Sequence, residues 1–170
     1  MPRLDIPSEI STVLREYYTC EVTTVNRQGQ PITWPSLPYF DEKTGQIILT
    51  VSIAFPVKAF NARHHPQVSL LYSDPTGSGL DQPPAVLVQG DATVSELLNY
   101  TTPQILGLFR VTNRRQPDSR RFTSNKLVRR IFTWYLFQRL VITVEPRRMQ
   151  VWQRGDFSIA PKEIEVKYVE

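Results

Sequence analysis

Gln46-Ile47-Ile48-Leu49-Thr50-Val51-Ser52-Ile53, followed by Ala54-Phe55-Pro56-Val57-Lys58, changes character midway, and its reading decides the fold. The first part alternates: Ile47, Leu49, Val51 and Ile53 fall on one side of a strand, Gln46, Ile48, Thr50 and Ser52 on the other. The chain then turns, and Pro56 opens a short helix that Pro66 ends. Thr50 and Ser52 leave the strand on one face, and Lys58 stands in the helix's first turn. A helix start offers unpaired N–H groups and a partial positive charge. With two hydroxyls and an ammonium beside it, this is a place for an anion, unless Lys58 simply faces solvent.

Working outward, the region before this stretch reads as one helix and then strands. Ile6, Ile10, Val13, Leu14 and Tyr17 recur at helical spacing across residues 7–18, with Asp5 or Ser8 as a cap. Cys20 to Asn26 is rich in β-branched residues, and Arg27-Gln28-Gly29-Gln30 supplies a turn. Residues 31–40 return as a strand broken by Pro35 and Pro38, which suggests an edge with backbone groups free to meet a ligand. Downstream, strands are expected at 67–73, at 85–95 with a bend at Gly90, at 140–145 and at 149–153, the last two joined through Pro146-Arg147-Arg148. Short strands at even spacing with one early helix point to a mainly β protein built as a small barrel with flanking helices.

The chain of 170 residues, 41% of them hydrophobic, suffices for one core without disulfide or metal support. Its single cysteine, Cys20, has no partner in the chain, which fits a reducing, cytoplasmic compartment. No signal peptide or membrane span is visible, and a soluble protein is expected. The net charge is +4 but uneven: from Arg110 to Arg139 nine Lys/Arg face one acid, Asp118, so this segment carries +8 and the remainder −4. A general case for nucleic-acid binding is therefore weak. Paired carboxylates, a Ser/His/Asp arrangement, a P-loop and a dinucleotide glycine signature are absent from the sequence. His64-His65 are adjacent on a helix and diverge, so shared metal binding is not expected.

The order of several short runs adds to this. Thr23-Thr24-Val25-Asn26-Arg27-Gln28-Gly29-Gln30-Pro31 is followed by Gly45-Gln46-Ile47-Ile48-Leu49-Thr50-Val51-Ser52, then by Lys58-Ala59-Phe60-Asn61-Ala62-Arg63-His64-His65-Pro66-Gln67-Val68-Ser69-Leu70. Val88-Gln89-Gly90-Asp91-Ala92 and Val144-Glu145-Pro146-Arg147-Arg148-Met149-Gln150-Val151-Trp152 complete the series. Together they resemble the pyridoxamine 5′-phosphate oxidase-like, FMN-binding split β-barrel superfamily, including its deazaflavin (F420)-using branch.

The resemblance implies one split-barrel domain over residues 1–170, with a basic helical insert at about 96–139. It implies a homodimer holding FMN, or alternatively F420, at the subunit interface, and an oxidoreductase acting on a small molecule, or else a non-catalytic flavin carrier. Lys58 would contact the phosphate, with Thr50 and Ser52 beside it. Backbone groups of Val51 and of Thr33-Trp34-Pro35 would line the ring system. Trp34 would stack on or wall off the ring, or else serve as a core or interface residue, and Gln89 would reach in from the second protomer. No catalytic side chain and no metal ligand is implied. The true oxidases carry an arginine directly before this lysine, where this chain has Val57, so pyridoxamine phosphate oxidation is not expected. The insert, with Arg114-Arg115, Arg120-Arg121, Arg129-Arg130 and Phe132, Trp134, Tyr135 and Phe137, reads in three ways: a helix packed on the barrel, a cationic lid, or a polymer- or membrane-surface contact.

Overall fold

A computed structural model describes residues 3–96, 106–108, 110–111 and 139–169. In chain order these give β1 (Arg3–Asp5), α1 (Ser8–Glu16), β2 (Cys20–Val25), β3 (Pro31–Ser36), β4 (Tyr39–Asp41), β5 (Gln46–Ser52), α2 (Val57–His64), β6 (Gln67–Tyr72), β7 (Ala85–Val94), β8 (Arg139–Trp152), β9 (Lys162–Ile164) and β10 (Lys167–Val169). The main sheet is antiparallel in the order β3-β2-β6-β7-β8-β5-β4, with β9 added to β8, and β1 pairs with β10 in a separate ribbon. The basic insert lies largely outside the described residues; 106–108 and 110–111 are helical.

The two end strands of the sheet, β3 and β4, are separated in sequence only by Leu37 and Pro38. Two residues cannot bridge a flat seven-strand sheet, so the sheet must curl until its ends meet. What the sequence suggests as one strand broken by prolines is thus the pair of edges of a split barrel, where prolines do least harm.

Inside the curl lie Cys20 and Val22 of β2, Ile47, Leu49 and Val51 of β5, Leu70 and Tyr72 of β6, Val86 and Val88 of β7, and Ile142, Val144 and Met149 of β8. The α1 face formed by Ile10, Val13, Leu14 and Tyr17 closes onto the same core, as its spacing predicts. Its cap differs from expectation: Pro7 precedes the helix with no side-chain capping bond.

Three further expectations are corrected. The segments at 140–145 and 149–153 form one continuous strand, because Pro146-Arg147-Arg148 makes a bulge opposite Gln89/Gly90 instead of a turn. A bulge accommodates a proline that lacks a ladder donor. Ile53 lies past the end of β5 and is 36% exposed, since the chain has already begun to turn. Ile48, assigned to the polar face, is buried there against Val141 and Tyr39, in a small second cluster outside the barrel.

Gly90 is the bend anticipated in β7, and it has no substitute: a Cβ there would run into the Glu145 carbonyl oxygen of β8. Gly90→Ala is expected to lower unfolding free energy by about 1–3 kcal/mol, as overpacking does. Urea unfolding monitored by tryptophan fluorescence checks this, and an unchanged midpoint would show that the strands can part.

Candidate functional site

Helix α2 covers one end of the barrel because its inner face is small. Ala59 and Ala62 are buried, which allows close approach, and Asn61 donates from Nδ2 to Thr24 Oγ1 at 3.0 Å in the interior. That buried bond fixes the helix's rotation against β2. With Asn61 facing inward, Lys58 is carried at the mouth of the barrel on the first turn.

No side chain caps α2; Pro56 precedes it, and Phe60 N donates to the Pro56 carbonyl. The N–H groups of the first turn are therefore donors that the helix itself does not use. The Lys58 ammonium is half-buried and donates to Ser36 Oγ at 2.6 Å. Among the described residues it has no carboxylate partner. Burial, the larger cause, pushes Lys58 below its ordinary value, with a smaller opposing effect from the Cys20 sulfur. Cys20 itself is fully buried, and desolvation pushes its thiol well up, so it is a neutral neighbour and a poor nucleophile.

The expected site residues fall in three places. Trp34 and Ser36 sit on the inner face of β3, opposite Val22 and Cys20 of β2, and Lys58 meets them there. Trp34 is half-buried, as a wall of the mouth would be. Thr50 and Ser52 lie on the outer face of β5, opposite Val141 and Arg139, while the Val51 side chain is in the core and only its backbone can serve a ligand. The Ser52 hydroxyl accepts from Ala54 N at 3.3 Å, which helps turn the chain toward α2. Neither hydroxyl bonds Lys58.

Thr33, Pro35 and Gln89 are apart from both groups. Thr33 and Gln89 occupy the two ends of an outer-face row, Thr33–Thr23–Ser69–Gln89, running across four strands. Three strand steps separate them, roughly 14 Å. Gln89 is on the outer face of the sheet, whereas Lys58 meets Ser36 on the inner face.

Gln89 lines a cleft of about 420 Å³ with Thr23, Ser69, Asp91, Arg147 and Arg148. Its arginines are already paired: Arg147 with Asp91 at 3.0 Å and Glu145 at 3.1 Å, and Arg148 in a two-point contact with Glu163 at 2.8 and 3.0 Å. Their charge is neutralised in place. Among the described residues Lys58 and Arg63 are cations without a carboxylate partner, Lys58 on the Ser36 hydroxyl and Arg63 on the Ser95 carbonyl.

Ser36 was not foreseen from sequence. Its position two residues after Trp34 on a strand places both on one face, but only the β2–β3 register shows that this face is the barrel's interior. His64, expected at a helix end, donates from Nδ1 to the Phe60 carbonyl at 2.8 Å and accepts at Nε2 from Arg27 Nε at 3.1 Å, so both ring nitrogens are engaged.

This architecture, a curled antiparallel sheet whose two edge strands are joined by two residues, is a split β-barrel. No protein-family model matches the chain, and no curated protein matches it. Solved structures do. A heme binding protein from Mycobacterium smegmatis superposes with a TM-score of 0.58 at 13% identity, covering 95% of this chain and 59% of that one. A protein from Clostridium acetobutylicum related to general stress protein 26 of B. subtilis, of the pyridoxinephosphate oxidase family, gives 0.55 at 7% identity over 93% and 92%. An F420 reductase gives 0.54 at 17% identity over 85% and 98%. At such identities the likeness is one of fold: the chain has the split β-barrel fold of the pyridoxamine 5′-phosphate oxidase-like proteins. Among the described residues no helix is long and apolar enough to cross a membrane.

The lowered Lys58 value has a stability consequence. The unfolded chain holds this proton more tightly than the folded one, so charged Lys58 costs stability. That cost declines as pH rises through the folded value toward 10.5. Lys58→Met is thus expected to melt at or above the wild-type temperature at neutral pH. A lower midpoint would mean that the ammonium holds the mouth together.

Proposed function

We propose that this chain is a flavin-type oxidoreductase that binds a phosphate-bearing cofactor, FMN in the first instance, at the Lys58 mouth, as a homodimer. The observation that carries the reading is the half-buried Lys58 ammonium, paired only with a neutral hydroxyl beside an uncapped helix start. An anion would compensate the partial desolvation of that charge. The donor set at the lysine suits a phosphate: an ammonium and the backbone N–H groups of the first turn, with the Ser52 and Thr50 hydroxyls, on the outer face of β5, reaching it only from the strand that leads into the helix. Ser52 keeps its own hydrogen free to donate, because its bond to Ala54 uses it as an acceptor.

The flavin would supply the hydride or electron transfer when bound. The protein's part is to seat the phosphate at Lys58, to present backbone groups of Thr33, Trp34, Pro35 and Val51 to the ring, and to exclude water with Trp34. No side chain is assigned an acid or base role. A second subunit is part of the proposal for two reasons. Ile53, Phe55, Val57 and Phe60 crowd the β5–α2 turn with 36%, 73%, 48% and 47% exposure, an apolar patch that a partner would cover. Gln89, on the opposite face of the sheet from the Lys58–Ser36 contact, would reach the ring from the other protomer.

The F420 reductase with the same fold supports F420 as the alternative ligand, and the +8 charge of the sequence from Arg110 to Arg139 suits an acidic tail. Titrating the purified protein with FMN and with F420 tests the reading. Micromolar binding of one is expected, and Lys58→Ala should weaken it by roughly 1.5–3 kcal/mol, the range for a charge-assisted contact. Binding of neither would overturn the cofactor assignment, whereas binding without redox turnover by a nicotinamide donor would favour a carrier. Light scattering at micromolar concentration should give twice the 19.7 kDa chain mass; a monomer would contradict the two-chain site.

A further inference from the structure

We propose that Ser36 is a second member of the anion seat, which holds the Lys58 ammonium in place and turns its own hydroxyl hydrogen to the bound phosphate. This rests on the reading of Lys58 as the phosphate contact. The geometry has three parts. Ser36 Oγ accepts from Lys58 Nζ at 2.6 Å. Its own hydrogen goes to the Trp34 carbonyl at 3.5 Å, a long, weak bond that a phosphate oxygen would displace. The position of Ser36 is set by the barrel: it stands directly opposite the fully buried Cys20 in the β2–β3 register.

The consequence is a two-point donor in place of a point charge. A free lysine must give up rotamer freedom when it meets an anion, whereas one already anchored gives up less. The neighbouring Val57 is apolar and exposed and supplies no side-chain donor, so a second group must come from another element. Ser36 is the hydroxyl that the structure brings to the ammonium. It is a positioning and binding residue, and no bond-making step is assigned to it.

Fluorescence titration with FMN and with riboflavin, which lacks the phosphate, separates this role from a purely structural tether between β3 and α2. The protein set is wild type, Ser36→Ala, Ser36→Thr, Lys58→Ala and the Ser36→Ala/Lys58→Ala double variant. Ser36→Ala should weaken FMN about fivefold to twentyfold, as for one lost hydrogen bond at a charged group, and leave riboflavin within about twofold. Ser36→Thr, which keeps the hydroxyl, should restore FMN binding, and the double variant should be no weaker than Lys58→Ala alone. Equal losses for both ligands, an FMN affinity unchanged in Ser36→Ala, or losses that multiply in the double variant would each overturn the assignment while leaving Lys58 in its role. A wild type that binds neither FMN nor F420 would overturn the cofactor reading and the Ser36 assignment together.

Discussion

Gly90 passes so close to the Glu145 carbonyl that a side chain has no room there, and the rest of the molecule is arranged around that contact. The bulge opposite it, with Pro146 in the ladder and Arg147 extra, bends the two longest strands together. A bent pair at the centre makes the sheet curl, and curling brings its β3 edge back toward β4. Helix α2 packs across one end of the curled sheet, against β2, β7 and β8. A flat sheet of the same strands would leave Ser36 on the β3 edge, across the whole sheet from β5, which leads into α2 and Lys58.

Charge is then sorted by pairing more than by position. Arg147 and Arg148 of β8 meet acids on β7, β8 and β9 and pull less on a distant anion. The exposed ion pairs of this set contribute little stability, yet they decide where a phosphate would not settle. Lys58 is treated differently, being drawn partly out of water and given only a hydroxyl. A site that spends stability on an uncompensated charge is typical of binding surfaces, and this is the physical ground for placing the cofactor phosphate there.

Much of this was legible in the sequence. Alternation in residues 46–52 and the proline-opened helix at Lys58 locate the strand-to-helix passage correctly, and the prolines at 35 and 38 mark real edges. Local pattern failed where partners decide. Pro146-Arg147-Arg148 has turn composition, and only the strand opposite makes it a bulge. Ile48 looked like a misfit on a polar face until Tyr39 and Val141 covered it. The candidate residues were read as one site because they share a resemblance, but register separates Thr33 and Gln89 from Lys58, and it supplies Ser36, whose role depends on a strand pairing that no local period encodes.

The most direct test of the account is a crystal structure of the protein with FMN bound. The account expects the phosphate within about 3 Å of both Lys58 Nζ and Ser36 Oγ, at the first turn of α2. A phosphate resting instead on Arg147 and Arg148 in the outer cleft, with Lys58 still turned to Ser36 alone, would contradict it.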